Sequence, residues 1–251
     1  MYKRCWILPH WIRCLINQSV NFKEIGFVFE VSPEDEETIS SLEAWKRFDK
    51  NIPYFEIKIR NDIPHFEHED NSRQWSISKY VNMVSLRNSL LQTVRDVQPD
   101  YYFSLDSDIL LTNPNTIELL IAHVKSGADA VNPLMFMTPF GSMYPSTMKW
   151  RTDVPTKAYR KEEEKLGTYF ESDVIMAAKM MSKDVYNNVN YAVHEQGEDV
   201  GWSLACKEQG FKLYCASYIY APHIMSESFY QSFLVNGDDR YDLLSKNYAK
   251  V

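Results

Sequence analysis

Residues 101–111 read Tyr-Tyr-Phe-Ser-Leu-Asp-Ser-Asp-Ile-Leu-Leu, an apolar run that enters a pair of acids and leaves it again. A stretch ending Phe103-Ser104-Leu105 reads as a strand buried on both faces, which puts Asp106 and Asp108 where that strand leaves its sheet. Two carboxylates one residue apart repel each other, and burying them is costly unless a cation compensates. Hard oxygen ligands at this spacing suit one Mn²⁺ or Mg²⁺, which in turn holds a diphosphate. The same short string also arises from an aspartate cap plus a turn residue, and the pair alone does not choose between the two. Downstream, Asn113 reads as an N-cap and Pro114 as the first helical residue. Ile117, Leu120, Ile121 and Val124 then recur on one helical face. Strand, acidic turn and helix make a βα unit with its acids at the carboxyl edge, where open α/β sheets bind ligands.

On either side of this unit, strands and helices alternate, which predicts a mostly parallel central sheet flanked by helices. Residues 25–31 (IGFVFEV) read as a strand, followed by a helix to about Phe48. Residues 54–60 alternate, with Phe55, Ile57 and Ile59 on one face. A long helix over 76–97 places Met83, Leu86, Leu90 and Val94 on one side and ends before Pro99. Further strands are expected at 128–133, 172–178 and 211–218, with a helix over 198–209 stopped by Gly210. Residues 136–167, rich in Pro, Thr, Lys and Tyr, read as a long functional loop that carries the acceptor side.

The 251 residues suffice for one sizeable core, and 45% hydrophobic with 14% aromatic content excludes a disordered chain. Apolar runs are too short or too interrupted for a membrane span, so the expectation is a soluble, membrane-free protein. Pro9, His10 and Arg13 break the stretch a signal peptide would need. Cys5, Cys14, Cys206 and Cys215 lack a C-x-x-C spacing, which points to buried thiols in a reducing cytoplasm rather than a zinc ribbon. A net charge of −7 disfavours a dedicated nucleic-acid binder.

Three further features bear on a metal site. Glu198 and Asp199 stand together at a helix start, either as ordinary favourable charge for the helix N-terminus or as a cleft-facing general base, with Asp199 preferred. His223 follows a strand and Pro222, so it is expected on a loop at a sheet edge, where imidazole is a natural additional ligand for Mn²⁺. His65 and His68 have apparent metal spacing, but Glu67, Glu69 and Asp70 make a solvated acidic loop the better reading.

Taken in order, these residues resemble a GT-A fold glycosyltransferase, and in particular the procollagen galactosyltransferases and the related domain of the lysyl hydroxylases. The resemblance runs over most of the chain. It is carried by Leu8-Pro9-His10-Trp11, Trp75 with the helix of Lys79 to Leu91, LDSDILLTNPNTIELLI, AVNPLMF, Glu198-Asp199 and His223. It implies a single Rossmann-like GT-A domain over 1–251, with a nucleotide-sugar half of about 1–135 and an acceptor half of about 136–251. It further implies Asp106, Asp108 and His223 as ligands of Mn²⁺ or Mg²⁺, and Asp106, Ser107 and Asp108 at the diphosphate of a UDP-sugar. Asp199, with Glu198 beside it, would face an acceptor hydroxyl on a glycan, a protein or a hydroxylated nucleobase. The implied reaction is transfer of galactose or glucose with inversion. A catalytically idle sugar-nucleotide-binding or glycan-binding module and a nucleotidyltransferase with the same metal site are the rival readings. Where the family begins with an apolar strand ending near Ala-Arg-Asn, this chain opens MYKRCWI, so its first strand is expected to be short or missing. Residues 137–167 also lack the cysteine pattern of the animal enzymes.

Overall fold

The computed structural model describes residues 4–62, 76–137, 147–151, 158–161 and 167–236. Its first element is α1 (Leu8–Ile16), with Pro9 in the first turn and Leu8, Trp11, Cys14 and Leu15 buried. Strand β1 (Gly26–Val31) leads into α2 (Glu36–Phe48), where the Asp35 side chain accepts the Thr38 N–H. Glu36 and Glu37 in its first turn and Lys46 and Arg47 in its last match the helix dipole. Strand β2 (Tyr54–Ile59) pairs parallel with β1. Helix α3 (Ile77–Val97) is capped by Ser76 and ends at Gln98 in the left-handed region, just before Pro99. Then come β3 (Tyr101–Ser104), α4 (Thr116–Lys125), β4 (Ala130–Met137), β5 (Thr147–Arg151) and β6 (Ala158–Lys161). The chain continues through β7 (Tyr169–Glu171), β8 (Val174–Ile175), β9 (Lys179–Ser182), α5 (Lys183–Asn188), α6 (Glu198–Glu208), β10 (Leu213–His223) and α7 (Glu227–Asn236).

Among the described residues three sheets form: β1-β2, then β3-β9-β4-β10-β7, then β6-β5-β8. In the five-stranded sheet β4 and β10 are parallel, and β9 lies antiparallel between β3 and β4, so β3, β4 and β10 share a direction while β7 and β9 oppose it. The expected α/β architecture with parallel strands and flanking helices is therefore present. One cleft of about 2100 Å³ is lined along one side by β1 and along another by β3 and the acid turn, with Met83, Leu86, Leu90 and Val94 of α3 contributing. The apolar face expected of α3 thus looks onto this cleft. The main core gathers Trp11, Phe29, Leu42, Trp45, Leu120 and Ile219, and a second gathers Leu91, Val94, Met181, Tyr186, Trp202 and Cys206. Each fully buried side chain of this kind contributes about 1.5–3 kcal/mol.

Several expectations are corrected. Strand β3 ends its sheet instead of being buried on both faces, and Tyr101, Tyr102 and Phe103 are half-buried. Helix α4 starts at Thr116, not Pro114, because the Asn113 side chain accepts the Asn115 N–H in a turn of its own. The Ile117 N–H is satisfied from outside, by the buried Gln18 side chain at 3.2 Å. Gln18 also donates to the carbonyls of Cys14, Leu111 and Asn113. Of the single strand expected over 172–178 only the two-residue β8 is strand, with β7 ending before the expected span and β9 beginning after it. Within the loop expected at 136–167, the described residues include the ends of β4 and the strands β5 and β6. Cys14, Cys206 and Cys215 are buried free thiols and Cys5 is a half-buried one. No described helix is long and apolar enough to cross a membrane.

Candidate functional site

Asp106 and Asp108 lie in a turn that begins two residues after β3 and is stitched to the far end of β10. The Ile109 N–H returns to the Asp106 carbonyl at 3.2 Å, and Trp11 Nε1 donates to the same oxygen at 3.2 Å. Ile224 N–H donates to the Asp108 carbonyl at 2.7 Å, Leu110 N–H to the Pro222 carbonyl at 3.0 Å, and Ile109 bridges His223. His223 is therefore the last residue of a central strand and not part of a loop: β10 runs past its expected end because it pairs with β4 through a register shift between Ala216 and Tyr220. This backbone stitching sets His223 Nε2 3.3 Å from Asp108 Oδ1. Arg4 Nη2 lies 2.8 Å from Asp108 Oδ2. The Asp106 carboxylate ion-pairs with Arg87 of α3. Arg4, Arg87, Asp106, Ser107, Asp108 and His223 all line the cleft.

Burial pushes the Asp108 carboxyl up, but the charge and hydrogen bond of His223 and the charge of Arg4 outweigh it and hold the group down at about 2. Burial likewise lowers His223, and Asp108 with Asp106 more than reverses this, so its imidazole is raised above 6.5. Carboxylate oxygen and imidazole nitrogen are donors that Mn²⁺ accepts, so the chemistry of the pair fits such an ion. Two donors converge and the third does not, since Asp106 turns to Arg87. Among the described residues no group of three acids, histidines or cysteines is arranged to hold a metal.

Glu198 and Asp199 occupy the first turn of α6, outside the lining of the cleft. Asp199 Oδ2 accepts the Ala177 N–H at 2.9 Å, and Oδ1 ion-pairs with Lys179, whose side chain is wholly buried. Lys179 Nζ lies 5.0 Å from the Tyr191 ring centroid and 5.1 Å from that of Trp202. Burial raises Asp199, and Lys179 and then Arg87 overcome that and leave it lowered. Glu198 differs: burial and the Asp199 charge lift its carboxyl to about 7 against the pull of Arg87. Arg87 thus couples the acid turn to the start of α6.

Arg4, Arg87 and Lys179 were missed from sequence. Arg87 and Lys179 carried a signal: each is a lone charge in an apolar context, Arg87 next to Leu86 on α3 and Lys179 between Ala178 and Met180, and a buried cation demands a carboxylate partner. Arg4 carried none. His65, His68 and Trp75 lie outside the described residues.

A model of the glycosyltransferase family 25 N-terminal domain matches residues 2–148. A glycosyltransferase 25 family member of Aedes aegypti is 29% identical over 116 residues, 46% of this chain and 19% of the relative. Procollagen galactosyltransferase 2 of Homo sapiens is 27% identical over 120 residues, 47% of this chain and 19% of the relative. These matches thus span less than a fifth of each relative's length. Among solved structures, GalNAc-T7 with UDP, GalNAc and Mn²⁺ superposes with a TM-score of 0.61 at 11% identity, over 86% of this chain and 40% of that one. The mannosyltransferase PcManGT from Pyrobaculum calidifontis, with GDP-Man and Mn²⁺, gives 0.57 at 8% identity over 92% and 57%. S. aureus TarS 1-349 with UDP gives 0.55 at 13% over 88% and 58%. At such identities the likeness is one of fold.

Proposed function

The chain belongs to glycosyltransferase family 25, and from that premise we propose that it transfers galactose or glucose from a UDP-sugar to an acceptor hydroxyl, with inversion at the anomeric carbon. The observation that carries the reading is the contact of Asp108 with His223, residues far apart in sequence, at the strand ends and on a cleft roomy enough for a nucleotide sugar. The galactosyltransferases among the relatives support the sugar, and the neighbours bound to nucleotide with Mn²⁺ support the donor class and the ion.

In this reading Asp106, Asp108 and His223 would hold Mn²⁺ or Mg²⁺, and Ser107 would stand beside the diphosphate. Such an ion, when bound, supplies Lewis-acid stabilisation of the charge developing on the departing diphosphate. Residues of about 1–135 form the donor side and residues of about 136–251 the acceptor side. As the acceptor oxygen bonds to the anomeric carbon, the bond from that carbon to the diphosphate oxygen breaks, and its electron pair leaves with the nucleoside diphosphate. The acceptor proton is taken up at the start of α6 by Glu198, which stands behind the cleft lining within electrostatic reach of Arg87 and Asp106 and whose raised carboxyl is matched to that task near neutral pH. Asp199, with both oxygens engaged, positions the start of α6.

Incubation with UDP-galactose, UDP-glucose and GDP-mannose, with products resolved by mass spectrometry, tests this. Release of nucleoside diphosphate with a hexose mass added to an acceptor supports it. Pyrophosphate release marks a nucleotidyltransferase, and binding without turnover marks an idle module.

A further inference from the structure

We propose that Arg4 is a donor-binding residue whose guanidinium takes the diphosphate of the nucleotide sugar. The inference rests on the transferase reading and names a residue which that reading does not use.

Arg4 joins three segments that are distant in sequence. Its Nη2 bonds Asp108 Oδ2 at 2.8 Å, its Nη1 bonds the Met225 carbonyl at 3.3 Å in the loop after β10, and its guanidinium lies 5.5 Å from the Trp6 ring centroid. A guanidinium carries five N–H donors in a planar fork, so these two bonds leave donors over. Position decides where those donors go. Two arginines touch the acid turn among the described residues, and the Arg87 side chain is 7% exposed while that of Arg4 is 28% exposed at the cleft. Arg87 borders the cleft but is nearly buried, whereas the more exposed Arg4 presents its remaining edge to whatever enters. A diphosphate brought beside Asp106 and Asp108 meets two carboxylates, and Arg4 is the cation placed to offset them from the open side. Its fork matches adjacent phosphate oxygens in a way a lysine does not. The same side chain ties the loop after β10 to the acid turn.

The test measures the Arg4→Gln and Arg4→Lys proteins against the parent by calorimetry with UDP, GDP and inorganic pyrophosphate at saturating Mn²⁺, with uridine by ligand-observed NMR and with Mn²⁺ alone. Circular dichroism checks the fold of each. In Arg4→Gln, UDP and pyrophosphate affinity should fall about 10- to 100-fold, the worth of charge-assisted bonds to one phosphate group. Uridine binding should stay unchanged and Mn²⁺ should bind at least as tightly, because Asp108 loses a competing cation. Arg4→Lys should recover part of the loss, since charge returns without the fork. UDP affinity within twofold of the parent, equal losses for UDP and uridine, or a loss that tracks weaker Mn²⁺ binding would each overturn the role of Arg4 while leaving the transferase reading standing. A parent protein that binds no nucleoside diphosphate would overturn both.

Discussion

The ammonium of Lys179 is wholly buried and ion-paired with Asp199, a residue that also accepts the Ala177 amide. A carboxylate so engaged anchors the start of α6 and is a poor proton acceptor, whereas burial and the Asp199 charge leave its neighbour Glu198 raised despite the pull of Arg87. Glu198→Gln should therefore keep UDP-sugar affinity and lose about 10²- to 10⁴-fold in turnover. Asp199→Asn should instead cost stability, about 3–5 kcal/mol for breaking a buried pair. Thermal melting and steady-state kinetics on both variants separate the two roles; a stable, inactive Asp199→Asn protein would return the base to Asp199.

Glu198 also predicts the pH profile. Its carboxyl is raised from 4.5 to about 7 in the fold, by burial and then by Asp199, with Asp106 adding and Arg87 opposing. A base must be deprotonated, so turnover should climb as pH rises through about 7, and Glu198→Gln should lack that limb. Stability runs the other way. The favoured neutral form contributes fully below pH 4.5, and that contribution is lost as pH rises through about 7. The parent should therefore lose melting temperature between pH 6 and pH 8 relative to Glu198→Gln.

Metal affinity should rank the site residues. His223→Ala should weaken Mn²⁺ binding about 10- to 100-fold. Asp108→Asn should weaken it more, because Asp108 meets both His223 and the cleft, and Asp106→Asn less than Asp108→Asn, because Asp106 starts from its pair with Arg87. A Mn²⁺ titration on the three variants checks the order, and equal affinity in all would remove the metal site from this turn.

Gln18→Ala should lower stability by about 1–3 kcal/mol, since it strips partners from the Ile117 amide and the carbonyls of Leu111 and Asn113. For a chain of this size that is a fall of several degrees in melting temperature. A melt matching the parent would mean that water replaces the amide.

A methyl group at Gly201 of α6 would overlap the Ala192 carbonyl. Gly201→Ala should cost about 1–3 kcal/mol and, by shifting α6, should lower turnover more than UDP affinity. Melting and kinetics together decide it.

What was legible in the sequence was local. Helix α3 was found from its apolar face and its stop before Pro99, α6 from its stop at Gly210, and α2 as the stretch that follows β1. Strands β1 and β2 were equally plain. The start of α4 was misjudged because its amide partner is Gln18, a residue no local window includes. Strand β10 was cut short because its extension depends on pairing with β4, and Pro222, which looks like a strand end, is tolerated with its carbonyl accepting from Leu110. In the site, the two aspartates announced themselves by type and spacing. Arg4 and Arg87 are partners chosen by the tertiary fold, and the sequence around Arg4 holds nothing that points to Asp108.

Strands β1 and β2 hydrogen-bond to each other and belong to a different sheet from the strand that delivers the acid turn, with the cleft lined by both. The segment from β1 through β2 is contiguous in sequence and, although its Phe29 and Trp45 share the main core, should open before the five-stranded sheet does. A nucleoside diphosphate seated in the cleft would touch both units and act as a strut between them. Amide protons of β1 should then exchange at a sub-global free energy in the free protein and approach the exchange of β4 and β10 when UDP is bound. The ligand would complete the scaffold's cooperativity, and occupancy of the cleft could be read as slowed exchange in a strand that carries no catalytic group.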